Sequence, residues 1–171
     1  MFQGWDNYFL MLGSAGAGLI GLLFVVVTLT ANVERSRALR GSALYLTPTM
    51  IHFAVVLTSS AVAQAPRISP TLTAIILAAG ALVGLCNAVR TWLGISALPK
   101  NGDPPHWSDI WTYGGAPGVI YLALIGAAAA VWTQASFAVG ALASLLMILL
   151  LVAIRNAWDL ITWMAPQGGP K

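Results

Sequence analysis

Charged side chains are nearly missing from this sequence: they make up 8% of its 171 residues, against about a quarter in a soluble domain. That scarcity excludes an ordinary water-soluble fold. With 58% apolar residues and a mean hydropathy of +0.83, a lipid bilayer is left as the solvent. Cysteine occurs once, at Cys86, so no intrachain disulfide can form, and the lone thiol is expected to pack as a small apolar residue. The eight basic residues are dispersed along the chain, which excludes a nucleic-acid surface. No GxxxxGK[ST], HExxH or paired CxxC pattern occurs. Asp103, His106 and Asp109 match no strong ligand spacing and read as a solvated loop rather than a metal site. No Asp, Glu, Lys or Arg falls at the centre of an apolar stretch, which disfavours a proton-coupled carrier or a pump. The expectation is therefore a protein that is not an enzyme and needs no cofactor.

Five apolar stretches are present, at about 8–33, 44–65, 71–98, 117–133 and 136–155. A helix crosses the roughly 30 Å hydrocarbon core with about 20 residues, so the stretches predict one integral membrane domain over 1–171, an all-α polytopic bundle of five transmembrane helices. The first stretch is too long for a signal-peptide core and lacks a basic leader, and is read as a retained helix. Thr47-Pro48 and Ser69-Pro70 each resemble a helix cap followed by proline at the first helical position. The third stretch is longer than one crossing requires and must tilt or project. Residues 99–116 carry Pro99, Pro104 and Pro105 with Trp107, Trp111 and Tyr113, and read as the one substantial loop, while Thr133 to Ser136 predict a tight hairpin.

Orientation follows from the basic residues. Arg35, Arg37, Arg40, Arg90, Lys100, Arg155 and Lys171 fall on one side of the predicted topology and only Arg67 on the other, 7 against 1 of the eight. The positive-inside rule makes the first group cytoplasmic, placing the N-terminus outside and the C-terminus in the cytoplasm, in the inner (plasma) membrane of a cell. Arg35, Arg37 and Arg40 form a basic loop at the membrane surface. Trp5, Tyr8 and Trp132 then mark the outer interface, and Trp92, Trp107, Trp111, Trp158 and Trp163 the inner one.

Lipid is as apolar as leucine, so membrane helices associate through close contact of small residues and through polar side chains that find partners. At about 100° per residue, Ser14, Gly18 and Gly21 share a sector with Thr28 and Asn32 on the first helix. Tyr45, Thr49, His52, Ser59 and Ala63 share one on the second, and Gly80, Gly84, Asn87 and Thr91 one on the third. Gly118, Gly126 and Ala129 lie along the fourth helix, and Ser136, Gly140 and Ser144 lead towards Arg155 and Asp159 on the fifth. Packing within a bundle is the simpler use of such stripes, and a water-lined path is the alternative.

Under the predicted topology His52, Asn87, Arg90, Arg155, Asn156 and Asp159 gather towards the cytoplasmic ends of their helices. Arg155 and Asp159, four apart, are spaced to pair, leaving Arg90 for an anion or an anionic lipid headgroup. Either arginine taken alone is better explained by snorkelling to the interface. Two function classes result. One is a structural or interaction subunit that packs against the bilayer, copies of itself or other membrane-protein subunits. The other is a homo-oligomeric ion channel whose basic cytoplasmic mouth favours anions.

Overall fold

The computed structural model describes residues 2–30, 42–98 and 106–164. The basic loop Arg35, Arg37 and Arg40, together with Lys100, Asp103 and Lys171, lies outside the described residues, as does the side chain of Trp163. All regular structure among the described residues is helical. Helix α1 spans Asp6–Thr30. Helix α2 opens with a π-helical turn, Ser42–Leu46, and continues as Thr47–Ala63. Helix α3 is Pro70–Ser96. Helix α4 runs from Trp107 to Trp132 and contains a π-helical turn at Trp111–Gly115, and α5 is Ala138–Met164. All five are long and apolar enough to cross a membrane.

Three boundaries differ from the sequence expectation: α5 continues unbroken to Met164, past the expected end at 155, and proline explains the other two. Residues 107–116, read as loop, form the first turns of α4, so that span begins at Trp107 rather than near Pro117. Thr47 does not cap α2, because the π turn runs straight into it and the residue at the cap position, Leu46, is itself helical. A proline inside a helix cannot donate to the carbonyl four residues back, and its ring collides with that carbonyl. For Pro48 the crowded residue is Leu44, and for Pro117 it is Tyr113; each sits inside a π turn. The widened turn relieves the clash and lets both helices continue through their prolines. Ser69, by contrast, caps α3 as expected: its Oγ accepts from the Leu72 N–H at 3.2 Å, and Pro70 fills the first helical position.

Helices α2, α3, α4 and α5 form a four-helix unit. Each packs on the next, α5 closes the ring against α2, and α2 and α4 face each other across the diagonal. Helix α1 lies outside this ring, seated mainly on α2 and more lightly on α5. The Tyr8 hydroxyl near its start donates to the Ala143 carbonyl of α5 at 3.3 Å. The seat on α2 is made by two glycines: a Cβ on Gly16 would lie 3.2 Å from the Phe53 carbonyl oxygen, and one on Gly13 would lie 3.1 Å from Ser60 Cβ. Close backbone approach of this kind supplies the dispersion contact that stands in for a hydrophobic drive in lipid. Tight turns join α2 to α3 and α4 to α5, with Arg67 (φ 57°) and Gln134 (φ 54°) in the left-handed region.

The tryptophans divide between the two ends. Trp5 and Tyr8 at the start of α1 share an end with Trp132 at the finish of α4, while Trp92, Trp107, Trp111 and Trp158 are exposed towards the other. Cys86 is free and points outward from α3.

Candidate functional site

Two side-chain bridges, one a hydrogen bond and one a ring contact, cross the axis of the four-helix unit, both made by α2 and α4. The deeper joins His52 to Tyr121: Nδ1 lies 2.7 Å from the tyrosine Oη, with both side chains fully buried. Gly84 of α3 makes room for it, because a Cβ there would overlap Cζ of the Tyr121 ring. The outer bridge joins the π turns themselves, the rings of Tyr45 and Tyr113 meeting edge to face at 4.9 Å. Along each helix the two positions are seven or eight residues apart, about two turns, so the bridges share one side of α2 and one side of α4.

The outer bridge is anchored to α5. The Tyr113 hydroxyl donates to the Asn156 main-chain carbonyl at 2.9 Å and lies 3.3 Å from Asp159 Oδ2. The buried Asn156 amide donates to the Thr112 carbonyl at 3.0 Å, and Arg155 reaches Asn156 Oδ1 at 3.3 Å. A π turn displaces carbonyls from the regular ladder, and the Asn156 amide meets one of them. Arg155 and Asp159 are thus engaged separately, by Asn156 and Tyr113. Tyr113→Phe removes the hydroxyl but keeps the ring contact, and about 1 kcal/mol of stability should be lost in denaturant titration.

The residues singled out from sequence are divided by the structure. His52 and Asn87 belong to the interior, and Asn87, one turn from Gly84 on α3, is half-buried with its Nδ2 enclosed. Arg90, Arg155 and Asp159 are exposed at the end that carries the outer bridge. Of the small residues singled out from sequence for helix packing, Gly84 alone touches a neighbouring helix closely. Ser14, Gly18, Gly21, Gly126 and Ser144 are exposed, Gly80 and Gly140 half-exposed, and a Cβ on any of these glycines would meet nothing within 4 Å. The stripes on α2 and α3 therefore turn inward, and those on α1 and α5 turn outward. Tyr121, the partner of His52, carried no sequence signal, being one tyrosine in an apolar helix. No group of three or more His, Cys, Asp or Glu gathers among the described residues in a way that could hold a metal ion. Compared with known proteins, the chain matches no family model, no curated protein and no solved structure.

Proposed function

We propose that this chain is a non-catalytic subunit of a membrane complex, and that its docking partner is a second copy of itself. The observation that carries the reading is that α1 has glycine on two faces and the protomer uses only one. Gly13 and Gly16 are spent on α2, while Ser14, Gly18 and Gly21 face outward with open space around both glycines. Small residues at this spacing let a second helix backbone come close, and against lipid they give a poor surface. Helix α5 adds Ser144, also exposed, at a similar depth: about 9 Å from the start of α5, against about 12 Å from the start of α1 for Ser14. The two helices run parallel and touch, so their outward small residues are suited to one patch. The channel alternative draws less support, because Thr49, Ser59, Ser60, Thr73 and Thr91 are buried within one protomer instead of facing a shared pore.

The test is the double replacement Gly18→Leu, Gly21→Leu, read by subunit counting in lipid vesicles. Wild type should count as two or more copies and the variant as one, with unchanged unfolding of the protomer. A monomeric wild type that purifies with nothing else would sink the subunit reading. A fixed unlike partner, lost from the variant, would keep the subunit and overturn the second copy.

A further inference from the structure

The His52–Tyr121 bridge leaves one buried group over, and the chemistry of that group defines a site. Two arrangements satisfy the 2.7 Å contact. If Nδ1–H donates to Oη, the tyrosine proton has no acceptor of its own and Nε2 presents a bare lone pair, so two groups are orphaned. If the tyrosine O–H donates to Nδ1, the ring proton sits on Nε2 and only that N–H is left without a partner. A buried polar group costs free energy while unpaired, so the second arrangement is the more stable. It leaves a lone, enclosed N–H donor within the four-helix unit, where facing side chains commonly build ligand sites.

A second unpaired donor stands at the same depth. Asn87 Nδ2 is enclosed and without a partner. Asn87 lies nine residues before the end of α3 at Ser96, and His52 eight residues after Leu44 of α2. These separations put both about 12–14 Å from the same end of the bundle. Gly84, one turn from Asn87, lies against the tyrosine that holds His52. Both donors are neutral and, among the described residues, no ionised side chain is buried with them, so an anion would be stranded in the apolar interior. What two neutral N–H donors accept is a neutral oxygen, and the neutral oxygen available to an enclosed site is water, which usually holds about three hydrogen bonds.

We propose that His52 Nε2 and Asn87 Nδ2 form a binding site for an ordered water inside the bundle, somewhat short of the middle of the span. The experiment is magic-angle-spinning NMR of the full chain in lipid bilayers with ¹⁵N-labelled histidine. Exposed His106 is changed to Gln (H106Q) so that His52 is the one histidine observed. The expected spectrum shows the proton on Nε2, with magnetisation passing to it from a slowly exchanging water. A proton on Nδ1, or an Nε2–H that receives nothing from water, would overturn the site without any further variant. In Asn87→Leu the tautomer should persist while the water transfer falls several-fold. Full transfer in that variant would remove Asn87 and overturn the two-donor site.

Discussion

Gly84→Ala is expected to cost about 3 kcal/mol, although alanine is ordinarily the better helix former by about 1 kcal/mol. The added methyl would occupy the position of Tyr121 Cζ. The ring has nowhere to retreat, because the tyrosine is fully buried and its hydroxyl is held by His52 on the far side of the axis. Either α3 moves off α4, losing the most extensive helix contact among the described residues, or the His52 bridge breaks. Detergent-titration unfolding of the purified protein gives the cost, and a cycle with Tyr121→Leu identifies its origin. In the leucine background Gly84→Ala should cost less than about 1 kcal/mol, since the clashing atoms are gone. Equal costs in the two backgrounds would mean that the ring is not what Gly84 accommodates. Because this glycine is internal, Gly84→Leu reports on folding of the protomer and not on docking between subunits.

The second large effect belongs to Gly16→Leu. Here the new side chain meets backbone: the Phe53 carbonyl oxygen at 3.2 Å and the Leu57 nitrogen at 3.5 Å from the added Cβ. Backbone cannot rotate aside, so α1 must lift from α2, with about 2–3 kcal/mol lost. The four-helix unit does not include α1 and should remain assembled. Hydrogen exchange is the suitable readout, with faster exchange along Asp6–Thr30 and little change in α3 and α4. The contrast is Gly18→Leu, two residues on, where a Cβ meets nothing within 4 Å and the protomer should be unaffected. Similar exchange in the two variants would refute the assignment of faces on α1.

Five spans could be read from the sequence because the bilayer imposes a length of about 20 apolar residues, and composition alone reports it. The start of α4 could not. Pro104, Pro105, Gly114, Gly115 and Pro117 satisfy every rule for a loop, and the helix survives Pro117 only by widening at Trp111–Gly115. That accommodation depends on Asn156 and Trp92 packing beside the turn, which are remote in sequence. The inward stripes on α2 and α3 were legible because polar residues in a span seek partners. On α1 the angular pattern alone favoured Ser14, Gly18 and Gly21, but glycine occurs on both faces and nothing in one sequence says which meets α2. His52 and Asn87 were legible as candidates, whereas the bond to Tyr121 depends on two helices that are diagonal in space and 69 residues apart in the chain.

Two cross-links at different heights constrain more than one. A single His52–Tyr121 contact would leave α2 and α4 free to pivot about it; with Tyr45 and Tyr113 meeting two turns away, tilting or sliding of either helix strains the other pair. Diagonal partners fastened this way travel together as a rigid ladder. Any piston or rocking movement in this protein is then to be sought in α1, which lies outside that frame, because α5 is tied to it through Asn156 and α3 through Gly84.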